Sequence, residues 1–202
     1  MILTSINDKN FKQEWIDAIK YDPVHPESAT SPRRLAQDRD VFFLIEDNVP
    51  TFVLCVAYTN FLPNTMGQLL ESSEQSNGAK SRFAIFYSVF KTPVEIGMSI
   101  SGSGSDIILL AAEYIKQHHP NIMYFTTMSP VPSLMKQFAY PPSDFEIVEY
   151  LLEKKDPVAR FHFNNGAHLI RVIPNADQSK IRQDQSCGIM VNYDYTPVIQ
   201  NF

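Results

Sequence analysis

Apolar side chains at Phe11, Trp15, Ile16 and Ile19 fall near one face of a 3.6-residue repeat, which predicts a helix over about residues 10–19 with Asp8 as its N-cap. The periodicity is lost from Tyr21 to Asp40. Pro23, Pro26 and Pro32 interrupt a stretch with few large apolar residues, so an ordered loop or flap is expected there. Three runs rich in β-branched and aromatic residues, 41–46, 52–58 and 82–90, each predict a strand. The Asp47-Asn48-Val49-Pro50 turn makes the first two an antiparallel hairpin. A helix at 66–72 and a polar loop at 73–80 separate the second strand from the third.

Glycine-serine sequence at 102–105 then leads into 107–118, where Ile107, Ile108, Ala111, Ala112 and Ile115 recur at helical spacing. A short apolar strand is expected at 121–127. Strand, glycine turn, helix and strand form a crossover unit, so the sheet should be mixed. Ser143 and Glu146 have the spacing of a capping box, predicting a helix to about residue 155. A second short helix is marked at both ends, by Asp156 as N-cap with Pro157 behind it and by Asn165-Gly166 as a left-handed stop. Strand-like runs at 168–173 and 189–195 close the chain.

With 44% apolar residues in 202, the chain can fill one core, and a single domain over 1–202 is expected. Apolar runs such as 41–45 and 107–112 fall far short of the roughly 20 residues a membrane span needs. No basic region precedes an apolar stretch at the start, so a cytoplasmic protein with no membrane partner is expected. The net charge of −5, with no basic run longer than Arg33-Arg34, argues against a nucleic-acid surface. Cys55 and Cys187 stand apart from each other and from any histidine cluster, so no disulfide framework and no metal site are expected, only two buried thiols.

Three places could carry chemistry. The turn Ser101-Gly102-Ser103-Gly104-Ser105 offers backbone amides at a helix start, where phosphate oxygens are favoured. With Ser99 before it, the turn is similar to the Gln/Arg-x-x-Gly-x-Gly/Ala cradle of GNAT acetyltransferases, departing at the first position. A serine or aspartate capping an empty turn would give the same pattern. The segment Thr126-Thr127-Met128-Ser129-Pro130-Val131-Pro132 puts hydroxyls at a strand's C-terminal end beside a proline-stiffened loop, where open α/β sheets place their sites. His162, in the last turn of the second short helix, is expected to be favoured as imidazolium by the helix dipole and to keep a proton near neutral pH.

Ala84–Ser88, Phe125–Pro132, Asp156–Ala167 and Ser186–Tyr195 resemble, in the same order, successive blocks of malonyl-CoA decarboxylase. The resemblance implies an α/β, GNAT-like fold with a mixed, mostly antiparallel sheet flanked by helices. It also implies a Ser–His pair at Ser129 and His162, with Tyr195 and Asn192 placing the substrate or the imidazole. The 101–105 turn, Thr126 and Thr127 are the expected contacts of the coenzyme. The helical N-terminal domain of that family is expected to be missing, and the stretch from Pro132 to Asp156 is shorter than in the family. The implied activity is decarboxylation of a malonyl-type thioester, carried on coenzyme A or on the phosphopantetheine of an acyl-carrier protein. No further cofactor is needed, because the thioester is itself the electron sink; a homo-oligomer is left open. An acyltransferase of the GNAT type is the competing reading. A serine hydrolase is disfavoured because Pro130 has no N–H to give an oxyanion hole. Among the other candidates, His25 is expected as an exposed loop residue, Arg33-Arg34 as a solvated pair, His118-His119 as a helix-end cap and His168 as solvent-facing. Phe83, Phe86, Tyr87 and Phe90 are expected as core and pocket wall.

Overall fold

The computed structural model describes residues 1–26, 31–71, 81–93 and 102–201. The predicted polar loop 73–80 and the cradle residues Ser99 and Ser101 lie outside the described residues. The chain forms two compact units, Met1–Phe61 with Glu74–Met123, and Leu62–Ser73 with Tyr124–Phe202.

In the first unit, strands β1 (Ile2–Ser5), β2 (Arg39–Glu46), β3 (Val49–Thr59) and β4 (Phe83–Lys91) pair in that order, all antiparallel. Every residue of β2 is buried, so the apolar run Val41–Ile45 is a core strand rather than an alternating one. The hairpin forms as predicted: Asp47 and Asn48 take φ of 48° and 69°, left-handed values these residues tolerate, between the paired Glu46 and Val49. A bulge leaves Tyr87 as the extra residue of β4 between Ser88, paired with Cys55, and Phe86, paired with Val56. Helix α2 (Gly104–His118) turns Ile107, Ile108, Ala111, Ala112 and Ile115 inward. His118 ends it, stacked on Tyr114 at 3.9 Å.

The predicted helix at 10–19 is a 3-10 helix over Gln13–Tyr21. Asp8 does not cap it; its carboxylate accepts from the Ser5 amide and the Tyr114 hydroxyl. Within the 21–40 stretch, whose residues 27–30 lie outside the described residues, there is a short 3-10 turn, Pro32–Leu35. Two residues of the stretch are far from solvent, against expectation. His25 is 1% exposed, with Nε2 3.2 Å from the Tyr87 carbonyl, and Arg34 is 2% exposed, ion-paired to Asp22 at 2.6 Å. Arg33 pairs with Asp38. The basic pair therefore fastens the loop to the sheet and is not a solvated patch.

In the second unit β8 (Met190–Asp194) pairs antiparallel with β5 (Tyr124–Thr127), the two-residue β6 (Ser129–Pro130) and β7 (His168–Ile173). Helices α1 (Met66–Glu71), α3 (Leu134–Gln137), α4 (Asp144–Leu152), α5 (Pro157–Asn164), α6 (Lys180–Ser186) and α7 (Thr196–Gln200) complete it. The Ser143–Glu146 capping box opens α4 as predicted. The final strand stops one residue before Tyr195, because the Asp194 carboxylate turns back to accept from the Thr196 amide and starts α7. His168 is exposed. Among the described helices none is long and apolar enough to cross a membrane.

Candidate active site

Ser129, His162 and Tyr195 come from three separate elements of the second unit and meet in a line. Pro130 and Pro132 cut β6 to two residues and stiffen the chain after it, while pairing of Ser129 with Val191 holds the serine against β8. Helix α5 starts at Asp156, whose side chain accepts from the Val158 and Ala159 amides, and is stopped by Gly166 at φ 78°. These two signals set the length of the helix and so place His162 in its last turn. Ser129 Oγ lies 2.9 Å from His162 Nε2, and Nδ1 of the same ring lies 2.9 Å from the Tyr195 hydroxyl. All three side chains are at least 95% buried.

Which ring nitrogen carries the proton depends on where the neighbouring hydroxyls donate. Ser129 has one hydroxyl proton, and it donates to Thr127 Oγ1 at 2.9 Å. Its oxygen can then only accept from the imidazole, so Nε2 carries the ring proton and Nδ1 accepts from the Tyr195 phenol. Thr127 Oγ1 also accepts from the Tyr193 amide at 3.1 Å. Tyr193 stacks on the imidazole at 4.4 Å, and Tyr195 meets it edge-on at 5.8 Å.

Burial pushes His162 down from its ordinary value to about 3, so the ring is neutral at physiological pH. The expectation of an imidazolium is corrected: desolvation outweighs the dipole of an eight-residue helix. Burial also raises the Tyr193 and Tyr195 phenols well above their ordinary range, keeping both protonated.

Asn192 is bonded between strands. Its Nδ2 donates to the Thr127 carbonyl at 2.5 Å and its Oδ1 accepts from Arg171 Nε at 2.6 Å, so it ties β8 to the end of β5 instead of touching the imidazole. Arg171 extends that tie to Asn64 and to the Leu62 and Pro63 carbonyls. Nothing in the local sequence distinguished this arginine from an ordinary strand residue. Thr126 is 3% exposed, and its Oγ1 has no hydrogen-bond partner among the described residues.

The glycine turn belongs to the first unit. Gly104 and Ser105 are the first residues of α2, and its cap is Ser103, in a reciprocal box with Asp106. The Gly102 amide donates to Glu46 Oε1 at 2.9 Å and the Ser103 amide to Asp106 Oδ2 at 2.7 Å. Two amides of the expected phosphate cradle are therefore held by carboxylates. A Cβ at Gly102 would lie 2.5 Å from Met1 Sδ and 2.6 Å from Leu44 Cδ2, so both side chains would have to shift to admit any other residue.

A mostly antiparallel sheet with flanking helices defines this as a GNAT-like fold. In architecture the chain is similar to the GphF GNAT-like decarboxylase in complex with isobutyryl-CoA, at 12% identity and a TM-score of 0.65, covering 96% of this chain and 98% of that one. It is also similar to the loading GNATL domain of CurA from Lyngbya majuscula, at 16% and 0.57, covering 80% and 77%. Within that class the family is definite: the malonyl-CoA decarboxylase C-terminal domain matches residues 13–144 and 145–200, and the chain belongs to this family. Malonyl-CoA decarboxylase from Agrobacterium vitis is similar at 25% identity and a TM-score of 0.76, covering 96% of this chain and 60% of that one. For the Rhodopseudomonas palustris enzyme the values are 25%, 0.73, 96% and 59%. The chain thus spans about 60% of the length of these enzymes. No curated protein matches it by sequence.

Proposed function

We propose that the chain decarboxylates a malonyl-type acyl thioester, malonyl-CoA or a carrier-bound analogue, to the acetyl thioester and CO₂, with Ser129 and His162 as the reacting side chains. The observation that carries this reading is the uncharged, buried line Tyr195–His162–Ser129, with bond directions that make the imidazole a donor toward the serine. A neutral ring whose Nε2 is already protonated cannot take the serine proton, which disfavours a nucleophilic serine. It suits an enolate, which needs donors at oxygen and a proton at carbon.

In this mechanism the Ser129 hydroxyl turns its proton from Thr127 to the substrate carboxylate and orients the C–C bond for cleavage. As CO₂ leaves, the electron pair moves onto the thioester oxygen. His162 then gives its Nε2 proton to the α-carbon while Nδ1 takes that of Tyr195, so the ring never becomes cationic; the Nδ1 proton then returns to the phenolate as Nε2 takes one from water, and the hydroxide left balances the carboxylate lost as CO₂. No metal is needed for these steps, because the thioester carbonyl accepts the charge. Two thiols outside any disulfide accord with a reducing, cytoplasmic setting.

The test is incubation with malonyl-CoA and, in parallel, with malonyl-loaded carrier protein. Decarboxylation yields the acetyl thioester and CO₂, hydrolysis yields free thiol, and acyl transfer requires an added amine. Ser129→Ala and His162→Ala are each expected to lower turnover by roughly 10²–10⁴. Wild-type turnover in both variants defeats the assignment.

A further inference from the structure

We propose that Asp156 is a positioning residue for Ser129 and His162, one carboxylate oxygen holding the start of the His162 helix and the other holding the loop that follows Ser129. The inference rests on the reading of that pair as the reacting groups. Oδ1 accepts from the Val158 and Ala159 amides at 2.8 and 3.1 Å, which is all that a helix cap requires. Oδ2 accepts from the Ser133 amide at 3.1 Å and from its hydroxyl at 2.6 Å. Since the Ser133 hydroxyl proton goes to Asp156, the Tyr150 hydroxyl 2.7 Å away donates to Ser133 and fixes its rotamer.

The linkage is stiff on both sides. Ser133 is joined to Ser129 through Pro130, Val131 and Pro132, two of whose φ angles are locked by rings. Asp156 is joined to His162 by about one and two-thirds turns of helix. A carboxyl group with no solvent exposure needs its lone pairs filled, and here four neutral donors fill them. Serine or asparagine would cap the helix nearly as well, so capping alone does not account for an aspartate reaching two segments.

Two variants separate the roles. Asp156→Ser keeps a capping oxygen and loses the acceptor for Ser133; Ser133→Ala removes one donor from the other side. Both should lower kcat roughly 10- to 100-fold with the thioester KM nearly unchanged, and the double variant should be no worse than the poorer single one. The ring ¹⁵N signals of His162, which need no turnover, should shift away from the Nε2–H tautomer in both folded variants. Wild-type kcat together with unaltered His162 signals in folded Ser133→Ala overturns the proposal. If the wild-type protein decarboxylates no malonyl thioester, the functional reading fails and the ¹⁵N signals alone decide whether Asp156 sets the pair.

Discussion

The charge of His162 is settled by a contest between two terms of different size. A helix C-terminus favours a cation by about 0.3–1 kcal/mol, up to about 2 when partly buried. Depression from 6.5 to about 3 corresponds to about 5 kcal/mol against the cation. The sequence shows the cap signals that generate the dipole, but desolvation depends on Tyr193 and Tyr195, which reach the ring only through the tertiary fold. For that reason the location of His162 was legible and its protonation state was not. Ser129 and Tyr195 became legible through the family's blocks rather than through spacing, since nothing local tells a serine in a turn from a serine on an imidazole. The same neutrality leads to a prediction for Tyr195→Phe. The ring loses the donor that holds its proton on Nε2, so turnover should fall roughly 10²-fold with the thioester KM little changed. Steady-state kinetics checks this, and an unchanged kcat would remove Tyr195 from the mechanism.

Among the elements, those with their own start and stop signals were legible almost to the residue. The capping box at Ser143–Glu146, the Asp156-Pro157 start with its Gly166 stop and the Asp47-Asn48 turn are all decided within a few residues of chain. The elements that sequence missed lack such signals: β1 is four residues long, and α6 and α7 are short and follow strands without an apolar stripe. The 13–21 segment had the stripe and lost the cap, because Asp8 was recruited by Ser5 and Tyr114, and a 3-10 helix resulted. The glycine turn shows the opposite limit. Its sequence suggests a ligand, yet Gly102 is packed tightly against Met1 and Leu44 and its amide is satisfied by Glu46. Gly102→Ala should therefore destabilise the protein by about 1–3 kcal/mol through overpacking, without any ligand present. Urea unfolding measures this; a midpoint equal to wild type would show that β2 yields to the added methyl.

At the scale of the molecule, two buried titrating groups pull the pH dependence of stability in opposite directions, one in each compact unit. Burial depresses His162 to about 3, so near pH 5 the unfolded chain binds a proton there that the folded chain does not, and stability falls as pH drops below about 6.5. Asp40 lies in the first unit with its carboxylate bonded to Ser5 Oγ at 2.6 Å, and burial raises it to about 6. Near pH 5 its folded form holds the proton that the unfolded form has lost, so its contribution is complete below about pH 3.8 and disappears as pH rises through 6. Each group taken alone gives a slope of about 1.4 kcal/mol per pH unit. Between about pH 4 and 6 the signs are opposed, so in whole-chain unfolding these two contributions cancel. Asp40→Asn should expose the histidine, with stability relative to wild type gaining about 1.4 kcal/mol for every unit of rising pH in that window. His162→Gln should expose the aspartate, with a relative slope of equal size and opposite sign. Chemical unfolding at pH 4.5, 5.0 and 5.5 measures both; two variants whose profiles run parallel to wild type would mean that neither group is desolvated as its burial implies.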